Sequence, residues 1–89
     1  MNYHYPLDES WSKQEVIDVV NFFAFVEQAY EKQVNREDFL AAYRKFKQVV
    51  PAKSEEKTYF REFERASGYA GYPVVKKARE SDQHTIQMT

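Results

Sequence analysis

Cysteine is absent from this 89-residue chain, and glycine and proline are scarce, with two and three residues respectively. The absence of cysteine excludes disulfides and thiolate metal sites. Because glycine and proline mark turns, their scarcity favours long helices over a β fold with frequent turns. Long hydrophobic runs are also missing, since the longest, residues 22–26, is far too short to span a bilayer.

The N-terminal residues carry neither the basic nor the apolar stretch of a secretory signal, which predicts a soluble, cytoplasmic protein. A net charge of −1 argues against a dedicated nucleic-acid binder. The charge is uneven, because residues 1–31 hold six acids and one base, whereas residues 32–89 hold twelve bases and eight acids. Such asymmetry can hold two halves of a fold together.

What the chain does contain is helical periodicity with recognisable start and stop signals. Ser12 and Glu15 have the spacing of a capping box, which predicts a Phe-rich first helix running to about Lys32. Asn35 is a good cap for a second helix, and that helix should end before Pro51, which disfavours helical geometry in the preceding residue.

The third helix is predicted to begin at Ser54, where two glutamates complement the helix dipole, and to stop at Gly68. Pro73 suits the first position of a short fourth helix. The predicted fold is all-α, a compact array of three long helices plus a short C-terminal helix. Residues 1–80 are expected to form a single helical domain, and the polar residues 81–89 a disordered tail.

The first helix is apolar over more than half of its circumference, so we expect it to be central. Phe25 projects into its polar strip, where it is either covered by another segment or exposed as a partner surface. Glu27 projects into the apolar arc and is a candidate buried carboxylate, with Lys47 or the tyrosines as candidate partners. A structural ion pair, or a glutamate at the rim of the core, is favoured over a catalytic role.

Lys57, Arg61 and Arg65 recur at four-residue spacing along the third helix, and we call them the basic stripe. A short turn followed by a helix with a basic face is typical of helix-turn-helix proteins. Residues 54–66, however, hold four acids against three bases, and those acids would repel phosphates. The stripe is therefore interpreted as a solvated face.

The loop of residues 67–73 is the most distinctive segment, because it combines two glycines, a proline and the aromatic side chains of Tyr69 and Tyr72. Tyrosines in such a loop either fold back onto the helices or form an exposed docking patch. The loop lacks the length and the Lys-Ser/Thr pair of a phosphate-binding loop. Folding back onto the helices is the favoured interpretation, and exposed tyrosines would instead make a docking patch for another protein.

No catalytic or metal-binding constellation is recognisable. The two histidines, His4 and His84, lie near the chain ends, and no Ser-His-Asp or Cys-His set is evident. No His/Asp/Glu group has metal-ligand spacing. The sequence therefore predicts no enzyme activity, no cofactor and no small-molecule ligand.

Several stretches carry a family resemblance: residues 5–8 with Trp11, 15–23, 26–32, 46–51, 67–69 and 75–79. Together they resemble the uncharacterised protein family UPF0223, short proteins of Bacillus-type bacteria, over nearly the whole chain. The resemblance implies a compact helical cytoplasmic domain and implies no activity.

Two classes of function remain after these exclusions, with a third held open. The leading hypothesis is a small non-enzymatic protein-interaction module that uses Phe25, or the loop with Tyr69 and Tyr72 together with the neighbouring basic stripe, to bind another protein or a second copy of the chain. The alternative is weak nucleic-acid binding through the basic stripe, extended by Lys53. The third is an enzyme that uses Glu27.

Overall fold

A computed structural model describes residues 5–88 of the chain, so His4 lies outside the described residues. Within them the elements follow in the order α1 (Lys13–Glu31), β1 (Val34–Asn35), α2 (Arg36–Val49), α3 (Lys53–Ser67), α4 (Gly71–Glu80) and β2 (Thr85–Ile86). The prediction of an all-α fold with three long helices and one short helix is confirmed, and the two strands add only a very small sheet.

The first two helix starts form as their sequence signals predict. The Ser12 hydroxyl accepts the backbone N–H of Glu15 at 3.2 Å, and the Glu15 carboxylate accepts that of Ser12 at 2.8 Å, which completes the capping box. At the start of α2 the Asn35 side chain accepts the N–H of Asp38 at 2.9 Å. Both caps involve residues three apart, so they follow from local sequence alone.

The third and fourth helices begin earlier than predicted. α3 starts at Lys53 instead of Ser54, after Ala52, which makes no side-chain cap bond. α4 starts at Gly71 instead of Pro73, so the proline is the third helical residue. Proline is tolerated there because the first backbone N–H groups of a helix have no partner inside the helix. Gly68 ends α3 as predicted, with a left-handed φ of 84°.

The core is built around two adjacent phenylalanines of α1. The Phe22 ring centroid lies 4.7 Å from that of Phe46 on α2 and 5.7 Å from that of Phe60 on α3. The Phe23 ring lies 4.5 Å from that of Phe63, also on α3. All five rings are buried. α1 is therefore in contact with both long partner helices, as its wide apolar arc predicts.

Residues 81–89 were expected to form a disordered tail, and the structure corrects this for the part that it describes. β2 pairs antiparallel with β1, with Ile86 opposite Val34, and the Ile86 side chain is fully buried. The Met88 N–H also donates to the Ala29 carbonyl of α1 at 2.9 Å. Two apolar residues, Ile86 and Met88, are too few to establish a periodicity, and the partner strand lies some fifty residues earlier, so local patterns could not reveal this pairing.

Candidate functional site

A buried carboxylate joins α2 to α3. Glu56, in the first turn of α3, is only 1% exposed. The Tyr43 hydroxyl donates a hydrogen bond to Oε2 of Glu56 at 2.8 Å, and the Lys47 ammonium donates one to Oε1 at 2.5 Å. A buried ion is tolerated in a fold when it is paired and hydrogen-bonded in this way. This network therefore fixes the relative position of the two helices.

The network also fixes the protonation of Tyr43. Burial, followed by the hydrogen bond and the charge of Glu56, raises the pKa of Tyr43 far above its usual range. Its hydroxyl is therefore a permanent donor to Glu56 at neutral pH. The Arg79 guanidinium of α4 lies over the same ring, 5.3 Å from its centroid, in a cation–π contact. Side chains of three helices thus converge on Tyr43.

A cleft of about 640 Å³ adjoins this network, because Tyr43 belongs to both. We call it the α4 cleft; its lining residues are Tyr43, Lys53, Tyr72, Pro73, Val75, Lys76, Arg79 and Glu80. The volume falls within the range of about 300–1,000 Å³ that is usual for ligand sites. The lining combines aromatic and aliphatic surface with three cations and one carboxylate, so it suits an amphipathic or negatively charged ligand.

Tyr72 is the aromatic side chain that the cleft presents to solvent. It is 36% exposed, and its ring centroid lies 4.4 Å from that of the buried Phe60. Burial, and then the charge of Glu56, raises the pKa of Tyr72. A hydrogen bond with the Glu56 carboxylate also raises the pKa of Tyr72, so its hydroxyl is directed toward that buried group while its ring offers apolar contact.

The sequence relationship confirms the resemblance noted above. Residues 2–87 match the family described as "Uncharacterised protein family (UPF0223)". The chain belongs to the UPF0223 family. The UPF0223 protein OB1419 of Oceanobacillus iheyensis is 62% identical over 88 residues, which cover 99% of this chain and 100% of that protein.

Two further relatives come from Bacillus-type bacteria. A UPF0223 protein of Lysinibacillus sphaericus is 55% identical, over 97% of this chain and 90% of its own length. The UPF0223 protein YktA of Bacillus subtilis is 52% identical, over 99% and 100% of the two chains. The family description assigns no activity, so what points to a function in this UPF0223 protein is the chemistry of its own surface.

The structure separates the two loop tyrosines of this UPF0223 protein. Tyr69 stacks on Tyr30 of α1, with ring centroids 4.8 Å apart and an angle of 9° between the rings. Its hydroxyl donates to the Glu31 carboxylate at 2.8 Å, and this bond is the main reason why the pKa of Tyr69 is raised. Tyr69 therefore folds back onto the helices, whereas Tyr72 lines the α4 cleft.

Phe25, the other aromatic of the predicted interaction surface, lies elsewhere. Its side chain is half-buried and packs against the core. It lines a small groove of about 190 Å³ between α1 and α2, together with Asp18, Asn21, Asp38, Ala41, Ala42 and Lys45. Phe25 and Tyr72 thus belong to two different surfaces.

Glu27 is half-buried and accepts a hydrogen bond from the Tyr5 hydroxyl. Of the two candidate partners predicted for Glu27, a tyrosine is therefore the one that contacts it, whereas Lys47 pairs with Glu56. Burial, and then the charge of Glu31, raises the pKa of Glu27. Glu56 is the acid that sequence reasoning missed, because acids in the first turn of a helix usually face solvent and complement the dipole.

The basic stripe is solvent-exposed along α3, and its three members stay outside the lining of the α4 cleft. Glu55, Glu62 and Glu64 are exposed on the same helix. In the described part of the chain, no group of three or more His, Asp or Glu side chains could hold a metal ion. Over the same residues, no helix is long and apolar enough to cross a membrane.

Proposed function

We propose that this UPF0223 protein is a small, non-enzymatic protein-interaction module whose α4 cleft receives a segment of a partner protein. The observation that carries the proposal is the placing of a solvent-exposed aromatic, Tyr72, beside Lys53, Lys76 and Arg79 in one cleft. Aromatic and arginine side chains are enriched at protein interfaces and dominate their binding energy.

The state of the acidic and phenolic groups at the cleft supports binding over chemistry. The Glu56 carboxylate is 1% exposed and already accepts hydrogen bonds from Tyr43 and Lys47, so it is not accessible to a ligand. Tyr43, with its raised pKa, is a poor base at neutral pH. Apart from the Glu80 carboxylate, the lining groups that reach solvent are cationic donors and apolar surface, which suit recognition.

Photocrosslinking inside cells tests the proposal, which includes the cytoplasmic location that the sequence predicts. We would place a benzophenone amino acid at position 72 or position 69 and express each variant in Bacillus subtilis in place of its 52% identical relative. We expect position 72 to yield an adduct with one identified protein, and position 69, which stacks on Tyr30, to yield none. Equal adducts at both positions would contradict the proposal, and a self-adduct at 72 would assign the cleft to a homodimer.

Binding of the purified partner supplies the quantitative check. We expect Tyr72→Ala to weaken binding at least about tenfold, since exposed aromatic anchors of interfaces reach about 2 kcal/mol. Ile17→Ala is the matched control, because Ile17 is 40% exposed on α1 and does not line the cleft. Binding of duplex DNA that is lost in Lys57→Glu and kept in Tyr72→Ala would favour the nucleic-acid alternative.

A further inference from the structure

Three cations meet at the α4 cleft with little negative charge to balance them. Lys53 is the first residue of α3, and Lys76 and Arg79 lie three residues apart on α4, so they share a helix face. All three are exposed, and none is in an ion pair within residues 5–88. Glu80 is the only carboxylate that lines the cleft in this part of the chain.

The guanidinium of Arg79 has an aromatic contact that does not depend on a ligand. It lies over the Tyr43 ring, and the Tyr43 hydroxyl is fixed in turn by Glu56. A cation–π contact uses none of the N–H donors of a guanidinium, so they stay available for a carboxylate. Because this contact restrains the Arg79 side chain, we expect binding through it to cost less conformational entropy than binding through a side chain without such a contact.

Beneath the cleft, the charge of Glu56 does not oppose an anion strongly. The Lys47 ammonium lies 2.5 Å from its Oε1, so the buried pair is neutral as a unit. Tyr72 and Pro73 add exposed apolar surface to the lining. The best occupant therefore carries negative charges together with an apolar side chain.

A short peptide satisfies these conditions better than a nucleic acid does. A nucleic-acid strand is a continuous row of phosphates, and it would have to pass Glu80 on a chain whose net charge is −1. A short acidic peptide can place its carboxylates on the three cations and leave Glu80 in water. The volume of about 640 Å³ accommodates a few side chains.

We propose that the α4 cleft binds a short acidic segment of its partner, with carboxylates paired to Lys53, Lys76 and Arg79 and an apolar side chain on Tyr72. This inference rests on the proposed function, which requires only that a protein segment occupy the cleft. It adds the chemical class of that segment and the three side chains that select it.

Fluorescence anisotropy with the full chain tests the inference. The probe is a labelled, end-capped peptide of five glutamates around one leucine, and its counterpart has glutamines in place of the glutamates. At low ionic strength we expect the acidic peptide to bind at least about tenfold more tightly than the glutamine peptide, and the difference to shrink as salt screens the charges.

Charge reversal at one cleft residue gives the matched comparison. We expect Lys76→Glu to weaken binding of the acidic peptide at least about tenfold, because it places a like charge against the ligand. Lys57→Glu makes the same change in net charge on the exposed side of α3, outside the cleft, and should alter binding by less than about twofold. Lys76→Gln should lie between the wild type and Lys76→Glu.

Several outcomes would overturn the inference. Equal loss of binding in Lys76→Glu and Lys57→Glu would mean that the net charge of the protein, and not the α4 cleft, attracts the acidic peptide. Equal affinity for the glutamine peptide would remove the role of the carboxylates, and tighter binding of a duplex DNA probe that depends on Lys76 would favour a nucleic acid. If the partner crosslinked at position 72 binds Lys76→Glu normally, this inference fails while the proposed function stands. If position 72 gives no adduct, the proposed function fails.

Discussion

Glu56 occupies a position where its charge has to be compensated. Its carboxylate is 1% exposed and accepts hydrogen bonds from Tyr43 and Lys47, so both oxygens have a partner. Lys47 itself keeps 29% of its side chain in solvent, which lowers the cost of holding this ion pair at the edge of the core. The main contribution of the pair to the fold is to hold α2 against α3 and to fix Tyr43 in the wall of the α4 cleft.

We therefore expect Glu56→Ala to lower the free energy of unfolding by about 2–3 kcal/mol, since it leaves Tyr43 and Lys47 without their acceptor. Glu55→Ala is the matched control: the neighbouring glutamate is exposed, and its loss should cost about 0.5 kcal/mol or less. Urea denaturation of the two variants measures the difference. Equal effects would show that Glu56 is not buried in solution.

The sequence could not distinguish these two neighbouring glutamates. Both lie in the first turn of α3, where the helix dipole favours acids. Only the position of α2, set by core contacts such as that of Phe22 with Phe46, decides which one meets Tyr43 and Lys47. The burial of Glu56 thus depends on how the helices pack, and it cannot be predicted from the sequence near Glu56, Tyr43 and Lys47.

The titration of Glu27 predicts in which direction the free energy of unfolding changes with pH. Burial and the charge of Glu31 raise its pKa above the ordinary value of 4.5. Its protonated form therefore contributes stability that is fully present below the ordinary pKa and is lost as the pH rises through the raised one. We expect Glu27→Gln to become more stable relative to the wild type as pH increases from about 4 to about 7.

Denaturant unfolding at a series of pH values measures this difference. Asp8, whose pKa is lowered by hydrogen bonds from Ser10, changes stability in the opposite direction, but it does so equally in both proteins and cancels. Glu62→Gln removes the same charge from the exposed side of α3 and controls for net charge. A constant difference between Glu27→Gln and the wild type across the pH range would contradict the prediction.

At the scale of the helices, the signals that proved predictive are those whose partners lie three or four residues away. The capping box of Ser12 and the cap at Asn35 form as expected, and Gly68 ends α3. The start of α4 was misplaced by two residues because Pro73 is compatible with more than one position in a first turn. Ala52 makes no side-chain cap bond, so the start of α3 has no comparable local signal.

The end of α3 depends on one backbone conformation. Gly68 has a φ of 84°, and a Cβ added there would meet no atom within 4 Å, so any cost of substitution is backbone strain. We expect Gly68→Ala to lower the free energy of unfolding by about 1–2 kcal/mol, and Gly68→Asn to lower it less, because asparagine tolerates the left-handed region. Thermal and urea unfolding report both values. Alanine as stable as glycine would mean that α3 ends in another way.

The whole molecule decides which candidate residues come together. Sequence patterns leave open whether Tyr69, Tyr72 and Phe25 are exposed or covered, and of these three only Tyr72 lines the α4 cleft. Lys76 and Arg79 lie near the end of α4, where cations complement the helix dipole, and they become cleft residues only when α4 packs beside α2. The residues of a site that is assembled from three helices can each be recognised in the sequence. That they lie together becomes apparent only once the packing of the helices is known.

The C-terminal segment also takes its place only through the packed core, because its buried apolar residue, Ile86, completes a core formed mainly by the preceding helices. Ile86 is fully buried opposite Val34, whereas Thr85 in the same strand is exposed. We expect Ile86→Ala to lower the free energy of unfolding by about 2–5 kcal/mol, through lost burial and the cavity that remains. Thr85→Ala should change it by about 0.5 kcal/mol or less.

Urea denaturation of the full chain separates this packed segment from a free tail. A free tail would tolerate both substitutions equally, since neither side chain would leave water on folding. A packed segment loses stability only in Ile86→Ala, and the slope of the unfolding free energy against urea should stay unchanged, because the same surface is exposed on unfolding. A large loss at Ile86 with none at Thr85 would place the end of the chain in the cooperative core, joined to the helices through β1.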